Sequence, residues 1–222
     1  MSVVIAVDGT AASGKGTLAK KLAAHFGFAH LDSGALYRLT ALAVLTAGGD
    51  PKAEADALHG AQSIDLSLAG DPAIRTDVVG QAASQVAAIP AVRAALFDFQ
   101  RNFLVHPPGG SPGAVMDGRD IGTVICPGAT AKLYVDARLD TRARRRWAEL
   151  KAMGIRRAEQ DVVTELGARD EADKTRPVSP LKQAPDADLL DTSDLGIDAA
   201  FAAALALVSP KVEGALKDRH RG

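Results

Sequence analysis

The chain has 222 residues, more than one domain of about 100–200 residues requires and too few for two full ones, so a single core carrying an insertion is expected. Its 26 Lys and Arg against 27 Asp and Glu leave a net charge of −1, and 47% of the residues are hydrophobic, 24% charged and 4% aromatic. That excludes a disordered chain and a broadly basic surface for duplex nucleic acid or an anionic membrane, and it requires an aliphatic core.

Residues 3–7 form a β-branched run that ends in Asp8-Gly9 and predict a buried strand opening into a loop. Leu18, Leu22 and Phe26 then recur on one helical face, closed by Gly27. A second apolar stretch, 28–31, leads into Asp32-Ser33-Gly34 and a helix carrying Leu36, Leu39, Leu42, Ala43 and Leu45. Strand then helix, twice over, predicts a parallel sheet with crossover helices. Ile64, Leu66 and Leu68 alternate as in a half-buried strand before the Gly70-Asp71-Pro72 turn, and 76–88 and 90–105 read as helices. The Pro- and Gly-rich stretch 107–113 is a loop into a third strand, 114–117, and 132–136 is a fourth. Helices are expected over 138–153 and 162–169, a loop over 174–188, a fifth strand over 189–191 and a closing helix over 197–208. The fold class is α/β: a doubly wound five-stranded parallel sheet flanked by helices.

The lone cysteine, Cys126, cannot form an internal disulfide and fits a reducing compartment. Asp8 and Gly9 interrupt what would be a signal peptide's apolar region, and the apolar run 199–208 is shorter than the roughly 18–20 residues that span a bilayer. A cytoplasmic protein with no membrane or nucleic-acid partner is expected.

Gly9-Thr10-Ala11-Ala12-Ser13-Gly14-Lys15-Gly16-Thr17 lies between the first strand and the first helix. Glycines let successive N–H groups face a phosphate, and the helix N-terminus adds its positive dipole end. Lys15 would reach the β- and γ-phosphates, and Thr17 would offer a hydroxyl to Mg²⁺. Gly16 separates the Lys from the hydroxyl, and Gly-Lys-Gly-Thr resembles the phosphate loop (P-loop) of nucleoside monophosphate kinases. The loop alone predicts a nucleoside triphosphate without choosing among GTPases, ATP-driven machines and small-molecule kinases.

Further segments narrow the choice: Leu31-Asp32-Ser33-Gly34-Ala35-Leu36-Tyr37-Arg38, Ala83-Ser84-Gln85-Val86-Ala87, Val92-Arg93, Asp117-Gly118-Arg119-Asp120-Ile121-Gly122-Thr123-Val124, Arg169-Asp170-Glu171-Ala172-Asp173-Lys174-Thr175-Arg176 and Pro180-Leu181. With the P-loop, their order and spacing resemble the bacterial cytidylate kinase family from about residue 3 to 192. The resemblance implies MgATP as donor, CMP and dCMP as acceptors and a P-loop fold with an acceptor-binding insert, about 60–105, and a lid, about 138–157. The core is then 1–59, 106–137 and 158–222. That family usually has a longer insert bearing a small antiparallel sheet; here 63–71 has room for one strand, so a trimmed insert is expected.

A phosphate monoester with a second pKa of about 6 is already largely ionised, so the acceptor oxygen needs charge neutralisation and alignment more than a strong base. Arg38, Arg119 and Arg176 are candidates to clamp it, since guanidinium forks match phosphate oxygens. Cytosine presents an amino donor where uracil presents an acceptor, so a carboxylate separates them. By resemblance Asp120 takes that role, Ser84 and Arg93 complete the base contacts, Asp173 and Tyr37 face the ribose, and Ser33 belongs to the same acceptor site.

Between 138 and 157 stand eight basic residues and two acidic ones. Nucleic-acid binding and a solvated helix face are general readings of such a run. Arg142, Arg145 and Arg146 resemble the family's lid arginines, which spread over the transferred phosphoryl group; arginine fingers of this kind are worth about 10³–10⁵ in rate. Arg169 joins from the other side of the cleft, whereas Arg138, Arg144, Arg156 and Arg157 are expected as surface charges. Asp117 either anchors Mg²⁺ through water or orients the Gly118 turn. Cys126 and Trp147 are expected as packing residues and the five histidines as surface or loop residues. The expected function is ATP-dependent phosphorylation of CMP and dCMP by a monomer. The alternatives are a P-loop kinase for UMP or another small acceptor, or a nucleotide-dependent switch or ATPase.

Overall fold

A computed structural model describes residues 2–219. Five parallel strands, β1 (Val3–Gly9), β2 (Ala29–Asp32), β3 (Gly113–Gly118), β4 (Ala131–Asp136) and β5 (Asp188–Asp191), lie in the order β2-β3-β1-β4-β5. Among the described residues, eight α-helices connect and flank them: α1 (Lys15–Phe26), α2 (Ser33–Thr46), α3 (Glu54–Gln62), α4 (Asp77–Val86), α5 (Pro90–Val105), α6 (Leu139–Ala152), α7 (Glu159–Thr175) and α8 (Ile197–Arg219). This is the expected α/β class.

All seven residues of β1 are buried, as a central parallel strand covered on both faces must be. Val3, Ile5 and Val7 face α1 and α8 through Leu18, Leu22, Ala204 and Val208, whereas Val4 and Ala6 face Leu104 of α5 and Ile121. A second apolar cluster joins α2, α3, α4 and α5 through Leu36, Ala57, Val79, Val86, Val92 and Leu96. A third gathers Ala143, Leu150, Val162 and Leu166 of α6 and α7 on Ala11.

Register places carboxylates along one edge of the sheet. Asp32 lies opposite Asp117, Asp8 opposite Gly118 and Asp136 opposite Asp191, all at the C-terminal ends of their strands. Ligands of open α/β sheets bind beyond that edge, where strand order reverses, and here the reversal falls at β1.

Several expectations are corrected. The alternating 64–68 stretch is not a strand: two 3₁₀ turns, Leu66–Gly70 and Pro72–Arg75, occupy the segment. Asp65 and Asp71 accept the Ser67 and Ala73 N–H groups at 2.9 and 2.7 Å and fold the chain back locally, leaving Leu66 and Leu68 exposed. Helix α3 carries no large apolar stripe in the sequence, because its packed face consists of small residues; a Cβ on Gly60 would lie 2.6 Å from Val44 Cγ2. Helix α7 runs past Arg169 to Thr175, and α8 continues through Pro210 to Arg219. By length and composition α8 is apolar enough to cross a membrane, yet its Ala200, Ala204, Val208 and Val212 are buried in the core over β1 and β4. Gly9 belongs where β1 passes β4, since a Cβ there would overlap the Val135 carbonyl.

Leu22, fully buried between α1 and the sheet, is the test of this core. Leu22→Ala is expected to lower unfolding free energy by about 2–5 kcal/mol in urea denaturation, with the slope unchanged.

Candidate active site

The P-loop turns its carbonyls outward and ties them to the protein. Ser13 Oγ and Lys15 Nζ donate to Thr10 O at 3.0 and 3.3 Å, Arg142 Nη1 donates to Ala11 O at 3.1 Å, and Thr192 Oγ1 donates to Ser13 O at 2.9 Å. Thr10 Oγ1 donates to Asp136 Oδ1 at 2.6 Å and so fastens the loop to the end of β4. Ala12 and Gly14 take positive φ values of 59° and 89°, which reverse the backbone before α1. Within α1 the first ladder bond runs from Leu18 N to Gly14 O, so the preceding N–H groups of the helix are available to an anion.

Three cavities follow one another along this edge. The donor cavity, about 590 Å³, is lined by 12–18 of the loop and first helix, Asp32, Arg75, Arg145 and 195–197. Ala12 and Glu149 also line a middle cavity with Arg38, Asp77, Gly80, Arg146 and Arg169. Arg169 continues into an acceptor cavity with Ser33, Tyr37, Ser84, Arg93, Arg119, Asp120, Asp173 and Arg176. Gly9, the last residue of β1, and Thr10 open the loop and line none of the three cavities.

In the acceptor cavity, carboxylates hold the arginines in place. Arg119 Nε donates to Asp173 Oδ2 at 2.7 Å and Arg119 Nη1 to Gly118 O at 3.2 Å. Arg93 Nη2 donates to Asp120 Oδ2, Arg93 Nη1 to Ala87 O at 3.3 Å, and its guanidinium sits 5.5 Å from the Tyr37 ring centroid. Arg176 Nε donates to Ser179 O at 2.6 Å, and its Nη2 stands 3.7 Å from Asp120 Oδ1. Burial pushes the Asp173 carboxyl up, but Arg119, Arg169 and Arg176 outweigh it, and it titrates below the ordinary carboxylate value. Arg169 Nε and Arg176 Nη2 are buried with no hydrogen-bond partner. An unpartnered buried guanidinium nitrogen is costly, and an anion in the cavity would satisfy it. Burial and the neighbouring Arg119 lower the Arg169 guanidinium to about 10, a sign of crowded positive charge. Ser33 Oγ donates to Asp117 O at 2.8 Å, and Ser84 Oγ to Gly80 O at 3.3 Å.

The other expected residues divide by location. Arg38 faces the middle cavity rather than the acceptor one and donates to Ile74 O at 2.6 Å. Arg145 reaches the donor cavity, where its Nη atoms donate to Thr192 Oγ1 and Thr192 O at 3.1 and 2.6 Å. Arg146 lines the middle cavity and bonds Asp77 Oδ1 at 3.1 Å. Arg142 lines none of the three cavities: it is buried, donates to Ala137 O at 2.7 Å and to Asp170 Oδ2 at 2.6 Å, and joins α6, α7 and the P-loop. Thr17 is exposed in the donor cavity. Asp117 is buried behind Gly16, 2.9 Å from His30 Nε2.

His30 is not a bystander but the partner of Asp117. Arg157 is not a lone surface charge: its Nη1 bonds Asp77 Oδ2 at 2.8 Å and Glu165 Oε2 at 2.6 Å. Asp170, Asp136 and Thr192 hold other site groups in place; Asp170 lies within the 169–176 segment, whereas no local motif marks Asp136 or Thr192. Trp147 and Cys126 do pack, against the α6–α7 cluster and beside Ile125.

Burial and Arg119 pull the Lys15 ammonium down to about 7 against the opposing Asp117 and Asp32. Lys15 therefore gives up its proton in the free protein more readily than an ordinary lysine, and a bound polyphosphate favours its charged form. Its ¹³Cε resonance should titrate near pH 7 alone and above about pH 9 with tripolyphosphate present. Removing Arg142 strands the Asp170 charge, so Arg142→Ala is expected to cost about 3–5 kcal/mol in chemical denaturation.

The family model for cytidylate kinase matches residues 5–209. A cytidylate kinase of Rhodopseudomonas palustris (strain HaA2) is 52% identical over 206 residues, covering 93% of this chain and 95% of that protein. One of Rhodospirillum rubrum is 49% identical over 209 residues, covering 94% and 98%. Among solved structures, an uncharacterized protein from Eubacterium ventriosum aligns with a TM-score of 0.53 at 14% identity over 93% of this chain and 98% of its own, a likeness of fold. With the P-loop, the carboxylate-held arginines and these relatives together, the chain belongs to the cytidylate kinase family.

Proposed function

We propose that the protein transfers the γ-phosphoryl group of ATP to CMP and dCMP, giving CDP and dCDP. The observation that carries this reading is the pair of unpartnered buried guanidinium nitrogens, Arg169 Nε and Arg176 Nη2, beyond the P-loop in cavities that run into one another. ATP occupies the donor cavity, with 9–17 around its phosphates and Arg145 beside its nucleoside. CMP occupies the acceptor cavity, its phosphate at the boundary with the middle cavity, between Arg38 there and Arg119 and Arg176 on the acceptor side.

The residues perform distinct tasks. Lys15 and the N–H groups of the loop hold the β- and γ-phosphates, and its ammonium becomes charged as they bind. Arg146 and Arg169, facing the middle cavity from opposite helices, neutralise charge on the equatorial oxygens of the transferred group. Arg142 acts at one remove, holding Ala11 and α7 in place. The acceptor phosphate attacks in line, already ionised, so alignment by the arginines replaces a general base. Asp120, turned toward Arg93 and Arg176, accepts from the cytosine amino group and repels the uracil carbonyl; Ser84 and Arg93 complete the base pocket, and Ser33, Tyr37 and Asp173 border the sugar.

Magnesium fits the residues present. Among the described residues no cluster of three or more His, Cys, Asp or Glu forms a protein cage, and a phosphate-bound Mg²⁺ needs only one or two protein groups and several waters. The Thr17 hydroxyl and, through water, Asp117 would hold it. When bound, it supplies charge neutralisation between the phosphates.

The boundaries follow the same reading: a core of 1–59, 106–137 and 158–222, an acceptor insert of about 60–105 and a lid of about 138–157. Lid closure excludes water, which competes as acceptor. The enzyme acts on free nucleotides as a cytoplasmic monomer, without nucleic-acid or membrane partners.

A panel of monophosphates tests the reading. With MgATP, ADP formation should depend on CMP or dCMP and be far slower with UMP; ADP release independent of any acceptor would sink it. Lys15→Ala should lower turnover by about 10³-fold or more while leaving the circular-dichroism melt cooperative.

A further inference from the structure

Asp8 is a buried carboxylate to which the phosphoryl-transfer reading gives no task. It is the penultimate residue of β1, immediately before the loop-opening Gly9. Its Oδ1 accepts from Ile121 N at 2.8 Å and its Oδ2 from Gly122 N at 2.7 Å, across more than a hundred residues of chain. Those N–H groups begin the π-helical turn Ile121–Ile125, in which Cys126 N reaches Ile121 O at 2.7 Å. A first turn has no internal partners for such groups, and the residue that ordinarily satisfies them is the one at the cap.

The cap here is Asp120, a residue type well suited to the task, yet its side chain makes no capping bond. Its carboxylate turns instead to Arg93 and Arg176 in the acceptor cavity. The two functions of a capping aspartate are thus divided between two residues: Asp8 satisfies the N–H groups, and Asp120 is left free for a ligand. Gly122 makes the close approach possible, because a Cβ there would stand 3.3 Å from Asp8 Oδ2 and 3.1 Å from Lys132 Cδ.

We propose that Asp8 is a positioning residue for base selection: by capping the 121–125 turn from β1 it frees and aims Asp120, and thereby sets the discrimination between CMP and UMP. This rests on the reading of Asp120 as the group that recognises the base. The same contact joins the start of the P-loop to the start of the 121–125 turn through one strand residue.

Only the ionised carboxylate accepts both N–H groups. An amide in its place offers one acceptor oxygen and turns an NH₂ group toward the second N–H. Protonation has the same effect, and burial raises the Asp8 carboxyl to about 6 despite the two N–H bonds. The groups around it are Arg119 and Asp120 beyond β3, Tyr134 opposite it on β4, and Lys132, whose ammonium is tied to Asp186 at 2.8 Å.

The experiment measures kcat/KM for CMP and for UMP, with saturating MgATP, in the wild type, Asp8→Asn and Asp120→Asn. In Asp8→Asn the CMP-to-UMP ratio should fall by about ten- to a hundredfold, mainly through a higher KM for CMP. In the wild type the ratio should fall as pH is lowered from 8 to 5.5, and in Asp8→Asn it should be low and flat over that range. Taking the ratio cancels ionisation of the acceptor phosphate, common to both substrates. A wild-type ratio in Asp8→Asn, beside a lost ratio in Asp120→Asn, overturns the role of Asp8 and leaves Asp120 as the base reader. An unchanged ratio in both variants removes Asp120 from the base pocket and this inference with it. Should Asp8→Asn fail to fold, the wild-type profile decides: a ratio that falls through pH 6 supports the proposal, and a flat one overturns it.

Discussion

The cleft depends on buried arginines held by aspartates that do not fully neutralise them. Arg119 is fixed by Asp173, Arg93 by Asp120 and Arg142 by Asp170, each in a surrounding that is nearly dry. Desolvation offsets most of the attraction within such pairs, so they contribute little net stability. Their effect is geometric: each aspartate removes the rotational freedom of a long cationic side chain before a ligand arrives. Arg169 and Arg176 stand beside these pairs with buried nitrogens that lack partners, and the surplus charge faces the cavities.

Helix α7 organises this arrangement. Along its last turns and just beyond them it carries Arg169, Asp170, Asp173 and Arg176, so one rigid element and the residue after it supply two of the restraining carboxylates and both guanidinium groups with an unbonded nitrogen. Asp170 links it through Arg142 to Ala11 of the P-loop, and Asp173 links it to Arg119 on the acceptor side. A movement of α7 therefore changes both halves of the site together. Asp8 makes a second connection between the halves, inside the sheet rather than above it.

The strand, glycine-rich loop and helix that hold the triphosphate are legible in the sequence because each leaves a local signature: β-branched residues, then glycines, then a 3.6-residue apolar repeat. The apolar stripe of helix α7 stops at Arg169 because Asp170 and Asp173 interrupt it, although both are buried against arginines from other elements and the helix runs on to Thr175. The 64–68 alternation fits a strand, yet Asp65 and Asp71 close local turns that compete with it. The run of arginines marks the lid region but does not separate the buried Arg142 from Arg145 and Arg146, which line cavities. His30 and Asp8 have no motif of their own; their partners are Asp117 and the 121–122 N–H groups, distant in sequence and brought close by strand register.

The surplus charge in the acceptor cavity is open to a direct comparison of two ligands that share a base. CMP carries the phosphate and cytidine lacks it, so the difference in affinity reports what the Arg119 and Arg176 guanidinium groups of the acceptor cavity contribute. At about 1.5–3 kcal/mol for each charged hydrogen bond, two such contacts predict that CMP binds about 10²–10⁴-fold more tightly than cytidine in calorimetric titration. Affinities within about threefold of one another would contradict a cleft built around an acceptor phosphate.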